Sequence, residues 1–200
     1  MRSNARWLSH VLVGLALVAS TSACMTPTPY QPYRAESVSG AHGGYSDQRL
    51  SSDRYLVRFH GNELASRDRV EGYLLYRAAE LSLQQGYDWF MILDQHTEHD
   101  TRTYVTPDPL YRPYYGSGYG YWRPHWRYYD PLHGWDMWHP EWGSPFWYNQ
   151  IDVTRVESFE AEAEIELHRG PLPTGEPRAF DARKVVSDLG PTIELPKERQ

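Results

Sequence analysis

Four sets of residues in this chain have types and spacing that could do chemistry. Cys24 is the single thiol among 200 residues, so no internal disulfide can form. His125, His133 and His139, with His96 and His99 upstream, carry imidazoles of the kind that ligate zinc, copper or nickel. Their spacing is irregular, however, and neither an HExxH run nor a cysteine cluster accompanies them, so they read as weak metal candidates beside ordinary loop histidines. Glu160, Glu162, Glu164 and Glu166 recur at period two. On a strand they would repel one another and spread over roughly 20 Å, which favours a solvated charged face over a cation site. The fourth set is aromatic: Trp122, Trp126, Trp135, Trp138, Trp142 and Trp147. Indoles are costly to leave in water and are frequent anchors of interfaces, which makes them candidate partner-binding residues.

Enzyme signatures are missing. There is no GxSxG elbow, SxxK pair or phosphate loop, and Gly116, Gly118 and Gly120 alternate without a strand before them or a helix after. Asp94 stands near Glu98 and Asp100, but carboxylates without a pocket carry no mechanism. The expectation is a protein without a catalytic set or cofactor.

The N-terminus says where such a chain would work. Met1 to Ala23 holds Arg2 and Arg6, an apolar run from Val11 to Ala19 and the small residues Ser20 to Ala23. That is the pattern of a secretory signal over residues 1–23, and its apolar run is shorter than the roughly 20 residues a spanning helix needs. With Cys24 next, the stretch resembles the lipobox of bacterial lipoproteins, although Thr21 stands where leucine is preferred. The resemblance implies a diacylglyceryl group on the Cys24 thiol, cleavage before it and acylation of the new amine. Two or more chains give stable anchoring. Met25, where aspartate would mark inner-membrane retention, implies the outer membrane, with the domain facing the periplasm. Loss of Arg2 and Arg6 takes the formal charge from −6 to −8, and an acidic, aromatic-rich body does not suggest nucleic acid.

The elements that must position these residues follow from periodicity. Residues 24–53 hold Pro27, Pro29, Pro32, Gly40, Gly43 and Gly44 with few aliphatics, and read as a lipidated flexible linker. A single domain is expected over 54–190. Tyr55, Val57 and Phe59 alternate with Arg58 and His60 as a half-buried strand does. A helix follows, with Ser66 as cap, Val70, Leu74, Ala78 and Leu81 as its stripe, and Gly86 after its last turn. Tyr87 to Leu93 is a second, nearly continuous apolar strand. Together they read as one β-α-β unit with parallel strands. From Val153 a long strand, most simply antiparallel, puts Phe159, Ala161, Ala163, Ile165 and Leu167 on one face. Val156 and Glu157 break its parity, which suggests a bulge. A short helix capped by Asp181 buries Val185, Val186 and Leu189 and stops at Gly190-Pro191. Residues 191–200 read as a polar tail, frayed from Glu194.

Residues 107–149 stand apart. Aromatics interleave there with Pro113, Pro124, Pro131, Pro140 and Pro145, so an irregular insertion without helix or strand is expected.

The runs Ser66-Arg67, Val70-Glu71, Tyr73 to Leu81 and Gly86-Tyr87-Asp88, and later Phe180 to Arg183 and Val186, resemble an uncharacterised family of small Gram-negative envelope lipoproteins of the Caulobacter type. The likeness implies a lipid-anchored periplasmic domain and carries over no catalytic residues. The sequence therefore points to an α+β fold built on one β-α-β unit with a long additional strand, a short C-terminal helix and an aromatic insertion. Its expected role is a non-catalytic structural or interaction one, with envelope protein or peptidoglycan as partner. A periplasmic metal-binding protein, or a wall-active hydrolase, are the alternatives.

Overall fold

A computed structural model describes residues 26–34, 42–62, 64–93, 115–130, 132, 134–138 and 158–196. Among these residues, seven strands and two helices build an α+β fold: β1 (Gly44–Arg49), β2 (Arg54–Gly61), α1 (Arg67–Gln84), β3 (Trp89–Leu93), β4 (His125–Asp130), β5 (Gly134–Met137), β6 (Ser158–His168), β7 (Ala179–Asp181) and α2 (Ala182–Leu189). Every paired neighbour is antiparallel. β6 is the central strand. β2 lies along one of its edges, while β3 (beside Glu164–His168) and β4 (beside Ser158–Glu162) share the other. β2 and β3 are therefore parallel, as the sequence implies, but β6 stands between them.

Local signals place α1 as expected. Ser66 accepts the amide of Arg69 at its start, and Asp68 sits in the first turn where the dipole favours a carboxylate. At its end Gly86 takes a left-handed φ of 77°, so that its amide reaches Leu83 O and the Tyr87 amide reaches Ser82 O. That paired closure satisfies carbonyls the helix leaves open. Val70, Leu74, Ala78 and Leu81 are all buried, and the side chains of Val57, Phe59, Ala161, Ala163, Ile165 and Phe90 complete the layer between helix and sheet. Close approach here depends on small residues. A Cβ added to Gly61 would lie 2.8 Å from Val70 Cγ2 and 3.0 Å from the Ala65 Cβ.

Three expectations need correction. The stretch read as a linker over 24–53 is built into the fold at 26–34 and 42–53. Tyr30 is in the core, Pro32 and Arg34 form bridges to Tyr45 and Gly43, and β1 pairs with Tyr55 to His60 of β2 along its whole length. Polar composition hid this because β1 is an edge strand, four of whose six residues are exposed, held partly by ion pairs. Arg77 of α1 donates to both oxygens of Asp47 on β1 and to Glu80, whose carboxylate also accepts the Tyr30 hydroxyl at 2.6 Å. Burial and Glu80 hold the Tyr30 phenol protonated far above its usual range.

The insertion over 107–149 is likewise partly regular, since β4 and β5 form a hairpin and Ser117–Tyr119 a single 3-10 turn. The polar tail is fastened as far as Glu194, whose carbonyl accepts from the Tyr30 amide at 2.8 Å and whose carboxylate pairs with Arg69 at 2.9 Å. The expected stop at Gly190-Pro191 is a 3-10 turn over Gly190–Thr192. The expected bulge at Val156 and Glu157 lies outside the described residues.

Gly61→Ala is expected to destabilise the fold by about 1–3 kcal/mol, because helix and sheet cannot separate without losing contacts elsewhere. Urea denaturation reads this as a lower midpoint at an unchanged slope.

Candidate functional site

Glu71 lies on α1, 1% exposed, on the side turned to the aromatic segment. Its Oε1 accepts from Arg67 Nε at 2.9 Å and from the Trp126 indole N–H at 3.1 Å. Its Oε2 accepts from the Tyr115 hydroxyl at 3.2 Å, and its backbone carbonyl accepts from the Trp122 indole at 3.1 Å. A carboxylate buried without partners would be prohibitively costly, but one that gathers three donors turns that cost into geometric selection. Trp122 then packs edge-on to Phe90 and Phe180, and Trp138, whose amide donates to Trp126 O at 2.7 Å, packs edge-on to Tyr128.

These contacts correct the reading of Trp122, Trp126 and Trp138 as partner-binding residues. All three are buried in this domain's own core. Trp135 on β5 differs, being 37% exposed, and Trp142 and Trp147 lie outside the described residues. So do Cys24, His133 and His139. His125 stands on β4 opposite Glu162, and among the described residues no group of three or more His, Cys, Asp or Glu is arranged to hold a metal ion.

Around Trp135 the outer face of the sheet combines aromatic and charged groups. The Arg127 guanidinium stands 5.2 Å from the centre of the indole, and the rings of His60 and Tyr129 meet it edge-on at 5.4 and 5.6 Å. Tyr33, from the N-terminal segment, meets His60 in the same way at 5.5 Å. The expectation of a solvated glutamate face fails beside this cluster, where Glu160 and Glu162 are 8% and 6% exposed. Arg58 from β2 and Arg127 from β4 reach over them from both sides: Arg127 bonds Glu160 at 3.0 Å and Arg58 bonds Glu162 at 3.0 Å, with Arg54 pairing Glu164 further along. The alternating glutamates do share one face, but the arginines that close over it come from different strands.

Chemically this is a neutralised ladder rather than a poised acid and base. Guanidinium groups meet Glu160, Glu162 and Glu164, and burial raises the Glu160 carboxyl above its usual range against the pull of Arg127 and Arg58. Burial also lowers His60 from 6.5 to about 4, so its imidazole is neutral at pH 7. His60 Nδ1 lies 3.9 Å from Glu160 Oε2, with no hydrogen-bond partner among the described residues.

Two outcomes follow from this chemistry. Glu71→Ala is expected to cost about 3 kcal/mol or more, since it removes the carboxylate to which Arg67, Trp126 and Tyr115 all donate, while Glu71→Gln retains an acceptor and costs less. Urea unfolding followed by tryptophan fluorescence separates the two variants. For His60, the unfolded imidazole gains its proton below about pH 6.5 and the folded one only near 4, so folding stability falls as the pH drops through that window, by up to about 3 kcal/mol. Glu160 acts in the opposite sense as pH falls through its raised value, because the folded state takes that proton first. His60→Gln should flatten the stability profile between pH 6.5 and 4.

Comparison of the chain with protein-family models, with curated proteins and with solved structures gave no match to any of them.

Proposed function

We propose that this protein is a lipid-anchored, non-catalytic component of the Gram-negative cell envelope. In this reading it is held at the outer membrane through Cys24, faces the periplasm, and meets an envelope protein or peptidoglycan through the exposed side of the β4–β5 hairpin. The observation that carries the contact is the division of labour within the aromatic segment. Trp122, Trp126 and Trp138 are consumed by the core, which makes the hairpin a rigid part of the domain, while Trp135 stays partly exposed on its edge strand. A rigid indole flanked by Arg127, Tyr129 and His60 suits contact with a sugar face or a protein surface, since it loses little conformational freedom on binding. The carboxylates nearest to it support a non-catalytic role, because arginines already engage them.

Removing the whole aromatic segment would take Trp122 and Trp126 from the core, so a point variant is the sharper probe. In-cell crosslinking with mass spectrometry of the wild type, Cys24→Ser and Trp135→Ala should show acylation on the N-terminal peptide of the wild type. Crosslinked partners should be lost in Trp135→Ala while the domain still unfolds in a single cooperative thermal transition, lowered only by the lost contacts with Arg127, His60 and Tyr129. An unmodified Cys24 would remove the anchor from this reading, and partners indifferent to Trp135 would remove the contact.

A further inference from the structure

Thr28 and Asn62 close a reciprocal pair inside the protein. The Thr28 amide donates to Asn62 Oδ1 at 3.1 Å, and the Asn62 amide donates to Thr28 Oγ1 at 2.8 Å. Asn62 Nδ2 also donates to the carbonyl of Thr26 at 2.7 Å, and both Thr28 and Asn62 are buried. The chain is thus fastened to the fold from Thr26 onward, at the residue that follows β2. Gly43 and Gly44 permit this fit: a Cβ on Gly43 would lie 2.4 Å from His60 O, and one on Gly44 2.3 Å from Gln31 O. Two peptide steps separate Cys24 from Thr26, a reach of at most about 7 Å. A free tether of the length the composition suggests would instead let the domain drift by roughly 30 Å.

The register fixes what else lies at that end. β2 and β4 both run antiparallel to β6, with Gly61 and Tyr128 each opposite Phe159, so both strands finish at the same end of the sheet. Leu64 follows β2 there, and Leu132 stands in the turn of the hairpin beyond Tyr129. Leu132 is 75% exposed, the most of any large apolar side chain described, and Leu64 is 46% exposed. Tyr33 and Trp135, joined through His60, lie on the outer face further back along the strands.

We infer that the domain is mounted directly on the bilayer surface by this end of the sheet, with Leu132 and Leu64 at the lipid interface and no free spacer between anchor and fold. The inference rests on acylation of Cys24, as proposed above. It adds the orientation, which the anchor alone leaves open.

The test uses the acylated full chain in vesicles of phosphatidylethanolamine and phosphatidylglycerol. The lipid occupies the native thiol, so Leu132→Cys or Leu50→Cys supplies one site for a nitroxide; Leu50, in the β1–β2 turn, marks the opposite end of β2. The label at position 132 is expected to be several-fold less accessible to a water-soluble nickel chelate than the label at 50, and more accessible to oxygen. Equal accessibility at both positions, with Cys24 shown by mass to be acylated, overturns the mounting and leaves the anchor standing. A chain with unacylated Cys24 that does not sediment with the vesicles overturns both.

Discussion

A single buried carboxylate organises the half of this protein that looks least organised in its sequence. Glu71 places its side-chain oxygens in the apolar interior, where they would be intolerable alone, so whatever covers α1 must bring donors. Arg67 supplies the opposing charge from one helical turn away, and the indole of Trp126 and the hydroxyl of Tyr115 supply directed N–H and O–H groups. Hydrophobic burial alone would accept many packings of an aromatic-rich segment; the bonds to Glu71 accept one. With Trp126 placed, β4 has its register against β6, since Trp126 stands opposite Ala161 with its indole turned to the helix. His125 and Arg127, its neighbours in the strand, then belong to the outer face by simple alternation. The position of Arg127 over Glu160 and beside Trp135 is therefore a consequence of a bond made on the other side of the sheet.

The same logic links the two faces of β6. Its alanines let α1 come close, and its glutamates need cations, which only flanking strands can bring. β2 brings Arg54 and Arg58, and β4 brings Arg127. Such buried ion pairs contribute little net stability, because desolvation offsets most of the attraction. Their effect is on register: a slip of one residue in β2 or β4 would turn its arginine to the apolar face and leave a glutamate uncompensated.

What could be read from the sequence was whatever is encoded locally. The limits of α1 rest on Ser66 and Gly86 and its stripe on a 3.6-residue period, while β6 shows a clean alternation; all three need only neighbours in the chain. The capping Asp181 of α2 belongs with them. Non-local facts were hidden. Nothing in the spacing of β2, α1 and β3 announces that β6 will stand between the two strands, because strand adjacency is decided by pairing across about a hundred residues of sequence. β1 and β4 carry polar or aromatic residues at both parities, so neither shows an alternation of the usual kind. Indole content likewise could not tell a core residue from a contact residue. Trp122 and Trp135 differ only in what their neighbours do, and the decisive neighbour of Trp122 is a carbonyl 51 positions away.

Fastening the chain at Thr26 changes what an exposed aromatic could reach. On a long tether, Trp135 would search a volume set by the linker, and a partner deep in the wall would be as available as one at the membrane. In the proposed mounting the strands would lead away from the lipid, and the face bearing Trp135, Arg127 and Tyr33 would look sideways, a few residues of strand rise above the headgroups. A partner engaged there must itself lie close to the bilayer, and both molecules are then confined to a thin layer. Confinement of that kind raises the effective concentration of a weak partner without any added contact, just as a short linker does between two modules. One exposed indole and a guanidinium are a small contact by the standards of stable interfaces. Under the proposed mounting at the membrane surface, such a small contact would suffice to keep two envelope components together.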